Sequence, residues 1–353
     1  LPQQPRVLTL VSRESGPQGG AAFASRLRAA LPSGSAVWEI NSDLRGGPAQ
    51  AAALLAVEPL LADEDPHAVR VAVAGGDGTA TWVLDELEQA FLERGSPVPA
   101  LAVLPCGTGN DLSRVLGWAG STTCQAALNG SPTAPQLLAL MRAVERAPVT
   151  HMDRWRLRLT SLAAAPRELR WSNYASVGFD AGVALSFDAT RRAGPALFFS
   201  RLGNKALYGA LGVRDAALLS CADLADRVTL TCDGREVAVP AGAKGILLLN
   251  IASFMGGVRP WSDDMPGAPR GVCSHSDGLV EVVAHFGALH LAAMQVGAAR
   301  AVPLARAAHV RISTTAAFPM QADGEPWLQP AASVLDFSLH GSASLCVPPI
   351  ETQ

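Results

Sequence analysis

The chain has 353 residues, enough for one large or two ordinary domains with ample core, and its 49% hydrophobic and 17% charged residues describe a globular protein rich in alanine. Its formal charge of −3 argues against nucleic acid as an electrostatic partner, and no uncharged apolar run reaches the ~18 residues of a membrane-spanning helix. Six cysteines (Cys106, Cys124, Cys221, Cys232, Cys273, Cys346) lack C-x-x-C spacing, which excludes a zinc module and points to reduced thiols in a cytosolic setting. Lysine occurs only at Lys205 and Lys244, so basic work falls to arginine. No signal-peptide pattern opens the chain, and Leu1 in place of Met suggests a piece of a longer protein.

Arg6 to Val11 reads as the first strand, followed by the glycine-rich Ser15-Gly16-Pro17-Gln18-Gly19-Gly20 and a helix carrying Phe23 and Leu27. Ala36 to Ile40 is a second strand and Ala49 to Leu61 a second helix. Next, Val69, Val71 and Val73 alternate with Arg70, Ala72 and Ala74 as in a buried strand, which ends in Gly75-Gly76-Asp77-Gly78-Thr79. Val83, Leu84, Leu87 and Phe91 then recur at helical spacing. Ala100 to Leu104 is a fourth strand, running into Pro105-Cys106-Gly107-Thr108-Gly109-Asn110-Asp111 and a helix begun by Leu112, Val115 and Leu116. This alternation predicts a doubly wound parallel sheet, whose ligands sit beyond the carboxyl ends of the strands. All three glycine loops fall on that edge.

The pattern changes near Val149, after a helix from Pro135 to Glu145. Strand-like runs appear at Trp155 to Thr160, Leu169 to Ala175, Val228 to Thr231, Ile246 to Ile251 and Leu279 to Ala284. Helical stretches lie near Ala181–Arg192, Ala206–Leu219 and Ala288–Arg300. Such β-rich spacing predicts a second domain that is mostly antiparallel sheet.

The Gly75–Thr79 loop offers peptide N–H groups and a helix N-terminus, a combination suited to phosphate. Thr79 can cap the helix or bond a phosphate oxygen. Asp77 repels such a ligand unless a cation lies between them, so the functional reading is a nucleotide bound with Mg2+ and held through Asp77. The plain reading is a tight turn with Asp77 as a helix cap. Asn110 and Asp111 stand open in the same way, as ligand contacts or as caps.

Taken together, the Gly75–Thr79 loop with Trp82-Val83-Leu84, and Leu104 through Arg114, resemble the catalytic domain of diacylglycerol kinases. The resemblance continues through Asp153-Arg154-Trp155, Asn173-Tyr174, Gly178-Phe179-Asp180-Ala181, Ser200-Arg201 with Asn204-Lys205, Asn250-Ile251, Asp277 to Glu281, and Pro319-Met320-Gln321 with Asp323-Gly324-Glu325-Pro326-Trp327. These are similar to the accessory domain of the eukaryotic-type enzymes, and the match runs from about Val7 to Val347. It implies ATP- and Mg2+-dependent phosphorylation of 1,2-diacylglycerol to phosphatidic acid. The expected fold class is α/β: a doubly wound nucleotide-binding domain over residues 1–148, then a mostly antiparallel, β-sandwich-like accessory domain over 149–335. Residues 336–353 form a C-terminal strand and tail that can return to the first domain, and the active site is expected in the interdomain cleft.

Within the resemblance, Gly75, Gly76, Gly78, Thr79, Gly107, Thr108, Gly109 and Asn110 surround the ATP phosphates, Asp77 faces the metal, and Glu325 is the general base for the lipid hydroxyl. On local sequence alone Glu325 also reads as a turn residue before Pro326. Asp277 corresponds to a structural Mg2+ ligand of bacterial relatives, but Ser274 stands where they carry another carboxylate, so a plain turn is the preferred local reading. Asp153 joins Arg201 and Lys205 either in a charge network beside the active site or in a packing ion pair. His151, His275, His285, His290 and His309 lack metal-ligand spacing. The chain departs from the family in having Ser12-Arg13-Glu14-Ser15-Gly16 where an Asn-Pro usually precedes the first glycines, and it carries no cysteine-rich C1 module. Rival functions are a related lipid kinase acting on sphingosine or ceramide, and a catalytically inactive lipid-binding scaffold. NAD kinase shares a glycine-aspartate-glycine loop but not the second loop. The expected setting is cytoplasmic, with reversible contact to the membrane that holds diacylglycerol.

Overall fold

A computed structural model describes residues 7–13, 19–31, 37–40, 69–92, 95, 97–193, 221–262, 264–269 and 271–350. Most of the first glycine loop, the helices expected over Ala49–Leu61 and Ala206–Leu219, and the pair Arg201 and Lys205 lie outside the described residues. The chain divides into two compact units, one of Leu1–His151 with Ala343–Gln353, the other of Met152–Ser342.

In the first unit β1 (Val7–Ser12), β2 (Val37–Ile40), β3 (Arg70–Gly75) and β4 (Ala100–Pro105) form a parallel sheet in the order β2-β1-β3-β4. The runs of β1, β3 and β4 are nearly continuous apolar residues because both faces are covered, which leaves no solvent side to alternate toward. Helices α1 (Gly19–Ala30), α2 (Asp77–Leu92), α3 (Asp111–Val115), α4 (Thr122–Leu128) and α5 (Ala134–Glu145) follow these strands. The chain leaves β1 to one side for β2 and returns to its other side for β3, the topological switch at which doubly wound sheets bind ligands. At the start of α5, Thr133 and Gln136 form a capping box, while Leu137, Leu140, Met141 and Val144 bury one face.

The second unit holds two antiparallel sheets. In one, β7 (Tyr174–Gly178), β10 (Gly245–Leu249), β11 (Val280–His285), β12 (Val302–Ala307), β14 (Phe318–Ala322) and β15 (Glu325–Gln329) run in the order β12-β11-β10-β7-β14-β15. The other contains β8 (Val228–Cys232), β9 (Arg235–Val237), β13 (His309–Thr314) and β16 (Ser333–Cys346), with β5 (Val149–Ser161) pairing both β16 and β6 (Arg167–Trp171). Helices α6 (Phe179–Ala193), α7 (Leu224–Arg227) and α8 (Ala288–Gln295) complete it. Its core includes Trp155 stacked on Trp171 at 5.8 Å, with Phe337 edge-on to Trp171 at 6.2 Å. The last residues of β16 belong to the first unit, where Leu345 pairs with Leu101 and the Cys346 carbonyl accepts from the buried Trp118 indole at 2.6 Å.

Three expectations need correction. The Gly75–Thr79 stretch is not wholly loop, because α2 already begins at Asp77, with Ala80 N donating to Gly76 O at 3.0 Å. The single strand expected over Leu169 to Ala175 is two strands broken at Ser172-Asn173. There the two backbone amides leave the ladder and bond the Asp323 carboxylate at 2.8 and 2.7 Å. The helix expected over Ala288–Arg300 stops at Gln295, before Gly297 takes a φ of 75°.

Candidate active site

The two glycine loops leave neighbouring strands side by side, since Gly75 is paired with Pro105 and Cys106 N donates to Gly75 O at 3.1 Å. Where they meet, a Cβ on Gly107 would lie 2.3 Å from the Gly76 Cα, and one on Gly76 would lie 3.3 Å from the Gly107 Cα. The backbones therefore touch without an intervening side chain. None of Gly75, Gly76, Gly78, Gly107 and Gly109 has a left-handed φ, so close approach and not an unusual turn is what requires glycine at the contact.

Asp77 fastens the second loop. Its Oδ2 accepts from Asp111 N at 3.0 Å and its Oδ1 from Leu112 N at 2.9 Å. A carboxylate at the start of α2 thus caps α3, which satisfies orphan amides and favours the negative charge. Asn110 sits at φ 56° and closes its own loop, accepting from Gly107 N at 2.7 Å and donating to Gly107 O at 2.9 Å. The Asn110 side chain makes no helix-cap bond and clasps its own loop instead. Thr79 lies in the first turn of α2 against Gly75. The first-turn amides of α2 have no intrahelical carbonyl to bond, and they open beside the junction of the loops. Glycine backbone followed by a helix start is the donor chemistry that phosphate groups bind.

In the second unit Glu325 is exposed at the first position of β15. The preceding turn places Asp323 at φ 48° and Gly324 at φ 83°, the left-handed pair of a two-residue hairpin. Asp323 is buried, and its carboxylate accepts from the amides of Ser172, Asn173 and Tyr174 at 2.8, 2.7 and 3.2 Å. Burial pushes this carboxyl above its ordinary range, against the opposing pull of those amides and of Arg154. Gln321 accepts from Gly324 N at 3.0 Å and donates to Asp180 at 3.2 Å. Asp180 also bonds Ser176 at 2.5 Å and His285 Nε2 at 3.0 Å. Although burial opposes it, those partners hold the Asp180 carboxyl below its usual value. His285 is therefore a buried structural residue. Gly287 N donates to its Nδ1 at 3.3 Å, which puts the ring proton on Nε2.

Asp153 and Asp277 come together around one turn. Gly278 N donates to Asp153 Oδ2 at 2.6 Å, while Leu279 N donates to Asp277 Oδ1 at 3.0 Å and Arg306 pairs with Asp277 Oδ2. Arg306 also bonds the buried Glu281 at 3.0 Å. Arg306 thus bridges Asp277 and Glu281. Among the described residues no group of three or more His, Cys, Asp or Glu side chains is gathered in metal-binding geometry. Sequence reasoning missed the Asp323 clamp, the Gln321–Asp180–His285 chain and the Arg306 pairings. Asp180, Gln321 and Asp323 stood inside the family motifs, but nothing local marked them as partners.

The family model for the diacylglycerol kinase catalytic domain matches residues 6–137, and that for the diacylglycerol kinase accessory domain matches residues 170–326. Over 350 residues the chain is 39% identical to diacylglycerol kinase 1 of Arabidopsis thaliana, covering 97% of this chain and 45% of that protein. It is 35% identical over 274 residues to diacylglycerol kinase theta of Homo sapiens, covering 74% of this chain and 27% of that protein. The chain therefore spans less than half the length of either relative. A crystal structure of a diacylglycerol kinase from Bacillus anthracis str. Sterne shares the fold, with a TM-score of 0.54 at 14% identity over 99% of both chains. With both domain models matched in order, and the loops and the Asp323 turn built from the residues that carry the resemblance, the chain belongs to the diacylglycerol kinase family.

Proposed function

We propose that this chain transfers the γ-phosphoryl group of ATP to the free primary hydroxyl of 1,2-diacylglycerol, giving phosphatidic acid and ADP. The observation that carries the reading is the joined pair of glycine loops with Asp77 between them, in a chain matched by both domain models. In this reading Gly75, Gly76, Gly78 and Thr79, with Gly107, Thr108 and Gly109, line the phosphates, and Asn110 keeps the second loop closed around them. Mg2+ neutralises phosphate charge when bound with the nucleotide. Nucleotide sites hold it with one or two carboxylates and the phosphates themselves, so Asp77 alone can supply the protein's share through its remaining lone pairs or a water.

Glu325 accepts the hydroxyl proton as the new P–O bond forms and the bond between the γ-phosphorus and the β–γ bridging oxygen breaks. Support comes from its exposure on a turn clamped from both sides by Asp323 and Gln321. Asp77, with both oxygens already accepting amides, is poorly placed to act as a base. The substrate resides in a bilayer, so the proposal includes reversible contact with a membrane surface. Among the described residues no helix is long and apolar enough to cross one.

Radiolabelled phosphate transfer from ATP into a lipid panel, resolved by thin-layer chromatography, tests the assignment. Phosphatidic acid should form from dioleoylglycerol in the presence of Mg2+, with sphingosine and ceramide at least about tenfold poorer by kcat/KM. Equal or better transfer into sphingosine would replace the assignment with the rival kinase, and no transfer into any lipid would favour the inactive scaffold.

A further inference from the structure

The β5–β6 hairpin ends in five consecutive exposed residues without charge, Leu162, Ala163, Ala164, Ala165 and Pro166. Leu162 is 95% exposed. The tip is held in place: Ser161 Oγ donates to Ala331 O at 3.3 Å and accepts from Ala163 N at 3.1 Å, and Thr160 Oγ1 donates to Val334 O at 3.5 Å. An anchored apolar tip differs from an incidental exposed leucine, because its presentation to solvent is built by hydrogen bonds.

The hairpin is rich in arginine. Between Val149 and Trp171 the chain carries five arginines (Arg154, Arg156, Arg158, Arg167, Arg170) against two carboxylates, Asp153 and Glu168, although the whole chain has a formal charge of −3. Arg154 is buried; Arg158 is exposed and paired with Glu168 at 2.9 Å, and Arg167 is exposed. The Arg167 guanidinium lies 5.5 Å from the Trp327 ring centroid. A groove of about 150 Å³ separates the hairpin from β15, lined by Leu159, Ala164, Arg167, Trp327, Leu328 and Pro330. Leu328 is 59% exposed on this strand, the edge of its sheet. Trp327 stands two residues from Glu325 on the same face of β15, about 7 Å along the strand.

We propose that the β5–β6 tip and the adjoining edge of β15 dock this chain on an anionic phospholipid bilayer. Leu162 enters the interface, Arg158 and Arg167 face lipid phosphates, and Trp327 lies at headgroup level. An apolar tip flanked by arginine and tryptophan matches the layered polarity of a bilayer surface. The local positive charge supplies an attraction that the net-negative chain otherwise lacks. The assignment rests on the proposed lipid kinase activity for its purpose, since docking at β15 brings a bilayer-resident hydroxyl to the strand that carries Glu325. Leu289 on α8, 88% exposed but on an element without arginine, serves as an internal contrast.

Flotation with vesicles tests the surface. Wild-type protein should bind vesicles of phosphatidylcholine with one-third phosphatidylserine about tenfold more tightly than pure phosphatidylcholine, and should lose most of that advantage in high salt. Leu162→Asp should weaken binding to the anionic vesicles about tenfold and Arg167→Gln about fivefold, while Leu289→Asp leaves it within twofold. Leu162→Trp should give fluorescence that brominated lipids quench. The proposal is overturned if wild-type protein does not bind, if Leu162→Asp binds as wild type, or if Leu289→Asp is equally impaired. A shift from dimer to monomer by sedimentation in Leu162→Asp, with vesicle binding intact, would make the patch a contact between copies of this chain and sink the proposal. Transfer to dioleoylglycerol in detergent micelles is measured in parallel. Active enzyme with unaltered Leu162→Asp docking rejects the surface alone, whereas docking by a chain without transfer rejects the kinase assignment and keeps the surface.

Discussion

At Asp77 one carboxylate accepts the Asp111 and Leu112 amides at 3.0 and 2.9 Å, so Asp77→Asn alters two properties at once. Asparagine keeps one acceptor oxygen, and loss of the other half of the cap should cost about 1 kcal/mol in urea or thermal unfolding without nucleotide. If Asp77 also reaches the metal, kcat/KM should fall by a further amount worth roughly 2–4 kcal/mol. A stability loss with near-normal kcat/KM would leave Asp77 as a cap only. Glu325→Gln is the complementary test, since the amide keeps size and hydrogen bonding but cannot take a proton. Its kcat should drop by about 10² or more with ATP affinity unchanged. Loss of ATP binding, with single-turnover chemistry persisting at saturating ATP, would remove Glu325 from the base role. Glu281 offers a pH signature away from this chemistry. Burial, only partly offset by Cys273 and Arg306, pushes its carboxyl up to about 7 from an ordinary 4.5. The folded protein then binds this proton more tightly than the unfolded chain, so the contribution of Glu281 to stability falls as pH rises from about 4.5 to about 7. Thermal midpoints of wild type minus Glu281→Gln, taken across that range, should decline with pH, and a flat difference would contradict the assignment.

At the scale of elements, the two glycine loops and the β14–β15 turn use glycine for different physical reasons. Gly107→Ala would place a Cβ 2.3 Å from the Gly76 Cα, and the backbone of the facing loop must move. That overpacking should cost about 1–3 kcal/mol and weaken ATP binding, since the displaced loops are the proposed phosphate site. Gly324→Ala meets nothing within 4 Å, yet φ 83° is unfavourable for any L side chain, at about 1–2 kcal/mol. It should lower stability and kcat while leaving nucleotide affinity intact. Equilibrium titration with a fluorescent ATP analogue separates the two: if both variants lose nucleotide binding equally, the division of labour between the loops and the turn is wrong. The strand break at Ser172-Asn173 belongs to the same level. Those amides serve Asp323, so the sheet gives up ladder bonds to fix the turn that carries Glu325.

For the whole molecule, a net charge of −3 with one basic hairpin predicts conditional membrane contact. After centrifugation with purely zwitterionic vesicles most of the protein should remain in the supernatant, and stable binding to such vesicles would contradict this. Burial pushes the thiols of Cys221, Cys232 and Cys346 up to about 11, which keeps them protonated and slow to react at neutral pH. What the sequence by itself determined lies within short windows: the alternating valines of β3, the apolar run of β4, the glycine loops after them, the helix α5, and the Asp-Gly turn before Glu325. Periodicity and turn chemistry are local properties, so a few consecutive residues suffice to display them. Pairings across long separations were decided only by the tertiary structure. Asp77 meets Asp111 across 34 residues, Asp323 meets Ser172 across 151, and Asp180 meets His285 across 105. A carboxylate in sequence looks the same whether it caps a helix, clamps a bulge or awaits a metal. Its role is set by which amides and cations the fold brings within about 3 Å, because hydrogen-bond and desolvation energies depend on distance in space and not along the chain.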